Sequence, residues 1–253
     1  MENFIHFGLI VTGKGEENNL YKLFNSIEKT GVCTFKVIRR IGQKNPISSK
    51  KRLKELKIVG TKKNIPTKDA EEIGLPARFY LSKGKSYYLI LIDDLENSRK
   101  DIAHEVYNRY REALDRILIK EKYRASVHFL VNMIEAYFFA DAEAINRALK
   151  LQVPIDDYNS DVELIRHPKG ELKKIYKNYN EIKDCEKILD IIKIDKVLSK
   201  KDTCAWLRTL FTWCIYVIKK NTYYIMPTPA PFCIDEGIYS IVTGKQLISQ
   251  IKK

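Results

Sequence analysis

The acidic residues Asp93, Asp94 and Glu96 come directly after an unbroken apolar run, residues 87–92, that is typical of a buried strand. Neighbouring carboxylates repel one another and raise one another's pKa values, so three together favour a compensating cation. Mg²⁺ prefers carboxylate oxygens and supports chemistry at phosphate groups. The alternative is structural, with these acids capping a helix that begins near residue 98.

A second candidate is the turn formed by Thr12, Gly13, Lys14, Gly15 and Glu16, between a predicted strand and a predicted helix. Glycines let a backbone approach a ligand closely, and the amides at a helix start favour anionic groups. The spacing differs from that of a Walker A loop. The alternative is a tight turn in which Glu16 only complements the helix dipole.

Glu135 is the third candidate, because it lies inside an apolar segment, residues 129–139. A carboxylate in such surroundings is rarely buried without a partner. We expect it either to pair with a Lys or Arg or to face the same cleft as the other acids. Arg166, His167 and Lys169 could supply that partner or hold a phosphate, or could simply form a solvated loop.

The formal net charge is +13, and its basic excess is concentrated between residues 36 and 85, which hold fifteen Lys or Arg residues against four acids. A basic stripe of this kind favours a polyanion such as DNA or RNA. The alternative is a solvated surface loop. The residues we predict to contact nucleic acid are Lys14, Lys50, Lys51, Arg52, Lys54, Lys62, Lys63 and Lys169.

Apolar runs at residues 4–11, 33–38, 87–92 and 125–131 predict strands that alternate with helical patterns at residues 16–28, 67–73, 98–120 and 132–149. This alternation predicts an α/β fold with a doubly wound, mainly parallel sheet. We assign residues 1–150 to this core, with a basic insertion at about 39–66. Residues 151–253 are predicted to form a mainly helical C-terminal region packed on the core.

The five cysteines are odd in number, widely scattered and without a C-x-x-C pair, which argues against a disulfide framework or a zinc site and favours a reducing cytoplasm. The first residues lack the positive charge of a signal peptide. Residues 204–218 are apolar but short and interrupted by Arg208, so they predict a buried helix rather than a membrane span.

Four ordered motifs resemble the DUF4276 family: IVTGKGE at residues 10–16, IDDLE at 92–96, VHFLVNMIEAYFFAD at 127–141 and IRHPKGEL at 165–172. That family looks like a distant branch of the TOPRIM (topoisomerase-primase) fold, related to the nuclease domains of OLD-type phage-defence proteins. The resemblance implies that Glu16 and the pair Asp94 and Glu96 bind Mg²⁺ or Mn²⁺ for cleavage of a phosphodiester, with Asp93 assisting.

The sequence departs from the family pattern at two positions. Thr12 stands where many relatives carry a first glutamate, so Glu16 serves alone, and Glu96 replaces a second aspartate. The resemblance also implies a separate ABC/SMC-like ATPase as a partner, and it leaves homo-oligomers open.

The leading hypothesis is a nuclease whose catalytic residues are Glu16, Asp94, Glu96 and Glu135 and whose basic stripe binds the nucleic-acid backbone. The second is a catalytically degenerate subunit that docks on an ATPase or on nucleic acid, which Thr12 favours. A third is a nucleotide-binding or phosphate-transferring enzyme, because the same acids could hold a nucleotide's metal.

Overall fold

Four apolar segments form one sheet in the computed structural model, which describes residues 4–45, 67–222 and 237–244. The strands are β1 (Ile5–Val11), β2 (Cys33–Arg40), β3 (Tyr87–Leu95) and β4 (Ala125–Val131). All pairings are parallel and the order is β2-β1-β3-β4. The chain therefore winds outward from β1 in both directions, and the order reverses between β1 and β3. In such sheets ligands bind outside the carboxyl ends of the strands at this reversal.

Helices connect and cover the strands. The α-helices are α1 (Lys14–Asn19), α2 (Asn25–Glu28), α3 (Leu75–Leu81), α4 (Ala103–Leu118), α5 (Glu135–Phe138), α6 (Ala142–Leu149), α7 (Pro168–Ile175), α8 (Lys183–Leu189), α9 (Ile194–Val197) and α10 (Ala205–Asn221). A π-helical turn, Ala70–Gly74, precedes α3. Short 3-10 helices span Leu20–Phe24, Asn97–Ile102, Ile119–Arg124 and Val162–Leu164.

Alternate residues of each strand face opposite sides of the sheet, so each side carries its own hydrophobic cluster. On β3, Ile90 and Ile92 belong to the cluster shared with α10 and the C-terminal helices. Leu89, Leu91 and Leu95 belong to the cluster shared with α3 and α4. The prediction of a doubly wound α/β fold with a parallel sheet is confirmed. The relationship to TOPRIM proteins remains a prediction.

The C-terminal helices pack on the same face of the sheet as α1 and α2. Helix α10 lies closest to the strands, where the Trp213 ring meets the rings of Phe7, Tyr88 and His128 at 6.0 to 6.3 Å between centroids. Arg208, which interrupts the apolar pattern of this helix, is buried and donates hydrogen bonds to the carbonyl oxygens of residues 198, 200 and 203. Backbone acceptors rather than solvent therefore take the hydrogen bonds of Nη2, whereas Nε has no partner among the described residues.

Two of the differences between the predicted elements and the structure affect the acidic residues. Strand β3 extends past residue 92 to Leu95, so Asp93 and Asp94 lie on the strand rather than after it. The helix predicted over residues 132–149 instead begins at Glu135, because Asn132 and Met133 adopt left-handed backbone angles, with φ of 54° and 73°. It is divided into two helices at residues 139–141, where Asp141 leaves the helical region with φ of −135° and ψ of 71°. Both differences change where acidic side chains point.

Cys33, Cys185, Cys204 and Cys214 are buried and free, whereas Cys233 lies outside the described residues. Across the described ranges, no helix combines the length and the apolar character that crossing a membrane requires.

Candidate active site

The carboxyl ends of β1, β3 and β4 open onto a cavity of about 480 Å³. Its near wall comes from the turn after β1, the end of β3 and the segment between β4 and α5, and its far wall comes from α7, α8 and the loop between them. The charged residues of the lining are Lys14, Glu16, Asp94, Glu96, Glu135, Lys169, Lys173 and Glu181. The cavity therefore lies at the reversal of strand order, where the topology predicts a ligand.

Glu16 lies in the first turn of α1 and is buried, at 8% exposure. Its carboxylate folds back over Gly13, and a Cβ atom added to Gly13 would overlap Glu16 Oε2. Gly13 has an ordinary extended backbone with φ of −97°, so glycine is not needed here for backbone freedom, and a larger residue would act by displacing the Glu16 carboxylate. The glycine turn predicted from the sequence thus positions Glu16.

Asp94 is the second buried acid of the cavity, and its Oδ1 atom has no hydrogen-bond partner among the described residues. Burial raises the pKa of Asp94 well above its usual value, and the charges of Glu16, Glu135 and Asp93 raise it further. The carboxyl groups of Asp94 and Glu16 lie within hydrogen-bonding reach of each other. Two carboxylates so close either share a proton or hold a cation between them.

Glu135 begins α5 and is 2% exposed, with Oε2 unpartnered in the described part of the chain. Burial raises the pKa of Glu135 to about 7, and the neighbouring Lys169 opposes that rise. Lys169 Nζ lies 3.8 Å from Glu135 Oε1. Both alternatives predicted for Glu135 are therefore realised, since it faces the cleft and has a lysine partner. The left-handed residues Asn132 and Met133 turn the chain so that Glu135 enters the cavity.

Asp93, predicted to assist in metal binding, points to the opposite face of the sheet. It accepts hydrogen bonds from Thr12 Oγ1 at 2.7 Å, Arg99 Nη2 at 2.7 Å and the Tyr110 hydroxyl at 2.9 Å. Because adjacent residues of a strand face opposite sides, the extension of β3 through Asp94 separates the two aspartates. Asp93 is fully buried and belongs to an ion pair with Arg99, so it does not join the acids of the cavity.

The remaining predicted residues divide between the cavity and the undescribed segment. Glu96 lines the cavity and is exposed, so it lies at the rim. Lys14 and Lys169 also line the cavity. The basic residues of the predicted insertion, Lys50, Lys51, Arg52, Lys54, Lys62 and Lys63, lie outside the described residues.

The far wall of the cavity was not anticipated from the sequence. It contributes Lys173, Tyr179, Glu181 and Cys185, which belong to α7, α8 and the loop between them. Their segment carries an ordinary helical pattern, and no spacing in it indicates that it faces the acids. The one usable signal was Lys169, which the sequence offered, together with Arg166 and His167, as a possible partner of Glu135.

The acids fit a hard divalent ion by their chemistry. In residues 4–45, 67–222 and 237–244, no group of three or more His, Cys, Asp or Glu side chains is arranged to hold a metal ion. Mg²⁺ is commonly held by only one or two carboxylates, with water and substrate phosphate completing its shell. Glu16 and Asp94 are such a pair, and the unpartnered Oδ1 of Asp94 offers a ligand atom.

Comparison with known proteins gives one family. The model described as "Domain of unknown function (DUF4276)" matches residues 11–212. No curated protein and no solved structure matches the chain. The matched region contains the cavity lining of both walls.

Proposed function

We propose that this chain, which belongs to the DUF4276 family, is a Mg²⁺- or Mn²⁺-dependent nuclease that cleaves phosphodiester bonds of DNA or RNA. The observation that carries the proposal is the convergence of Glu16, Asp94 and Glu135 in one cavity at the carboxyl edge of the sheet. Two of these acids retain a buried oxygen atom without a hydrogen-bond partner among the described residues. Buried, unsatisfied carboxylates are costly, so their retention favours a function.

The charge of the cavity supports a cation as the first ligand. Five acids and three lysines line it, so its formal charge is 3 − 5 = −2 when all are ionised. A phosphate group placed against the acids alone would be repelled, whereas one divalent ion neutralises the excess. The metal ion is therefore proposed to bind before the scissile phosphate reaches the acids, while the lysines of the cavity can contact other phosphates of the strand without it.

The side chains have separate roles in the proposed reaction. Glu16 and Asp94 hold the ion, which when bound supplies charge stabilisation at the phosphate and lowers the pKa of water. Glu135 Oε2, which has no partner in the described residues, accepts the proton of the attacking water. The water oxygen bonds to phosphorus, the P–O bond to the leaving sugar oxygen breaks, and solvent protonates that oxygen. Lys169, 3.8 Å from Glu135 Oε1, keeps that carboxylate in place, and Lys14 faces the phosphate from the near wall.

Nucleic acid is the proposed substrate because the basic excess lies beside these acids in the sequence. Residues 36–85 carry a formal charge of +11, from fifteen basic and four acidic residues. Backbone contacts of this kind predict binding that weakens steeply as salt rises and that carries little sequence preference. The resemblance to OLD-type nucleases is the basis for further proposing an anti-phage role with an ABC/SMC-like ATPase partner.

The test compares Asp94→Asn with wild type on plasmid DNA, single-stranded DNA and RNA, in Mg²⁺, Mn²⁺ and EDTA. Asp101→Asn is the matched control, because Asp101 is an exposed acid that does not line the cavity. Removing a metal ligand is expected to lower cleavage by at least ~100-fold, while the control retains activity. Cleavage by Asp94→Asn at the wild-type rate would exclude this centre.

A second candidate is a catalytically inactive subunit that binds a partner ATPase or nucleic acid. Thr12 favours it, since this residue stands at the first acidic position of many relatives and donates its hydroxyl to Asp93 instead of facing an ion. Titration calorimetry separates the two. Heat of Mn²⁺ binding that disappears in Asp94→Asn supports the nuclease, whereas its absence in wild type, with and without nucleic acid, supports the inactive subunit.

A further inference from the structure

Two lysines of α7 and one acid of the following loop form a cluster on the far wall of the cavity. Lys169 Nζ lies 3.1 Å from Glu181 Oε2, and Lys173 Nζ lies 3.7 Å from Glu181 Oε1. Lys169 also reaches Glu135 at 3.8 Å, so it lies between the buried acid and the exposed one. One carboxylate thus bridges two cations directly across from the proposed metal ligands.

Tyr179 adds an independent observation at the same place. Its side chain lines the cavity and is 5% exposed, yet its hydroxyl has no hydrogen-bond partner in the ranges that the structure describes. Burial raises the pKa of this hydroxyl, and the charges of Glu135 and Glu181, the two acids that pair with Lys169, raise it further. A buried hydroxyl without a partner costs stability, and a ligand that accepts its hydrogen bond would remove that cost.

We infer that Lys169, Lys173 and Tyr179 form a subsite for a phosphate group of the nucleic-acid strand, and that the Glu181 carboxylate occupies this subsite in the ligand-free protein. This inference rests on the proposed function, because the phosphate belongs to the nucleic-acid substrate of the nuclease. It is the phosphate next to the one that is cleaved. A carboxylate and a phosphodiester both present singly charged oxygen acceptors to the same two ammonium donors. Substrate phosphate therefore replaces Glu181 without leaving either lysine unpaired.

Replacing the Glu181 carboxylate by a phosphate costs little free energy. The Glu181 side chain is 47% exposed and that of Lys173 is 52% exposed, and partly solvated ion pairs contribute only ~0–1 kcal/mol. The same helix carries an ordinary surface pair, Lys174 with Glu171 at 2.8 Å, and neither residue lines the cavity. Helix α7 therefore provides its own control, because Lys169 and Lys173 pair with Glu181 at the cavity, whereas Lys174 pairs with Glu171 away from it.

The experiment measures, by fluorescence anisotropy, the binding of a twelve-nucleotide oligo(dT) labelled with fluorescein at its 5′ end. EDTA is present so that metal-dependent cleavage cannot contribute. Glu181→Gln removes the competing charge and is expected to tighten binding about 5-fold, the factor equivalent to ~1 kcal/mol. Glu171→Gln removes the same charge from the surface pair and is expected to change binding by less than about 2-fold. Unchanged or weaker binding by Glu181→Gln, equal tightening by Glu171→Gln, or no binding by either protein would overturn the subsite.

Tyr179→Phe tests the third member of the subsite through two readouts. Loss of one hydrogen bond to phosphate is expected to weaken oligo(dT) binding by about 2- to 10-fold. Thermal stability should stay level or rise, because the hydroxyl has no partner to lose among the described residues. A structural role would instead lower the melting temperature and leave binding unchanged, and that outcome would remove Tyr179 from the subsite.

Failure of the subsite and failure of the nuclease proposal give different results. Tighter binding by Glu181→Gln together with a wild-type protein that cleaves nothing in Mg²⁺ or Mn²⁺ keeps the phosphate subsite and rejects the nuclease. Cleavage that depends on Asp94, together with unchanged binding by Glu181→Gln, keeps the nuclease and rejects the subsite.

Discussion

Glu135→Gln is expected to make the protein more stable at pH 8, because the substitution removes a charge from a buried position without changing side-chain volume. Glu135 is 2% exposed and one of its oxygens has no hydrogen-bond partner in the described residues. Burial raises its pKa from an ordinary value of 4.5 to about 7, even though Lys169 opposes the rise. The folded protein therefore holds this carboxylate in an unfavourable charged state above pH 7.

The sign and size of the effect follow from linkage. Between pH 4.5 and about 7 the folded state keeps a proton on Glu135 that the unfolded chain has released, so the free energy of unfolding falls as pH rises through this window. Each pKa unit corresponds to ~1.4 kcal/mol, so the full penalty above pH 7 is on the order of 3 kcal/mol. Glutamine does not titrate, so the variant avoids this penalty. It should match wild type near pH 4.5 and exceed it by up to ~3 kcal/mol at pH 8.

Urea unfolding of wild type and variant at pH 5, 6.5 and 8 measures this difference, with the fluorescence of Trp206 and the buried Trp213 as the signal. Glu171→Gln is the control, because Glu171 is a partly exposed acid, with a side chain that is 44% exposed, and its pair with Lys174 should contribute less than ~1 kcal/mol at every pH. Titration of the acids that do not interact with Glu135 is common to both proteins and cancels in the difference, whereas the pKa of Asp94 falls when the Glu135 charge is removed and adds to the stabilisation. A variant that is less stable than wild type at pH 8, or a difference that does not change with pH, would refute the reasoning.

Two other substitutions test how the acids are positioned. Gly13→Ala is expected to displace the Glu16 carboxylate and to lower metal-dependent cleavage by about 100-fold, with little loss of stability. Gly15→Ala is the control in the same assay and should leave activity unchanged, because its added Cβ meets nothing closer than 3.8 Å. Arg99→Met leaves the Asp93 carboxylate buried without its cation, so the free energy of unfolding measured with urea should fall by about 3–5 kcal/mol. A loss below ~1 kcal/mol would show that the fold does not depend on the ion pair between Arg99 and Asp93.

The fold was predictable because its strands are continuous apolar runs. The sequence predicted β4 with the bounds that the structure gives, and β1 to within one residue. The end of β3 was wrong, since aspartate is uncommon in strands and the sequence indicates a stop at residue 92. The strand continues because Arg99, in the 3-10 helix that follows β3, and Tyr110 of α4 donate hydrogen bonds to the buried Asp93 carboxylate.

The near wall of the cavity was predictable for a similar reason. Acids that follow neighbouring parallel strands must meet at one edge of the sheet, and Glu16, Asp94 and Glu135 do so. The sequence placed Asp93 with the cavity acids because it ended the strand at residue 92. Since β3 continues to Leu95, Asp93 and Asp94 face opposite sides of the sheet. The far wall was not predictable, since the packing of residues 168–185 against the sheet depends on tertiary contacts that have no local signature. Tyr179 and Glu181 belong to that wall.

The central claim is that Glu16 and Asp94 hold one divalent ion between them. Anomalous X-ray scattering from crystals of the full chain soaked in Mn²⁺ tests this directly. We predict a peak within about 2.0–2.3 Å of a carboxylate oxygen of each of these two residues, and its loss in Asp94→Asn crystals treated in the same way. A peak elsewhere, or an unchanged peak in the variant, would contradict the account.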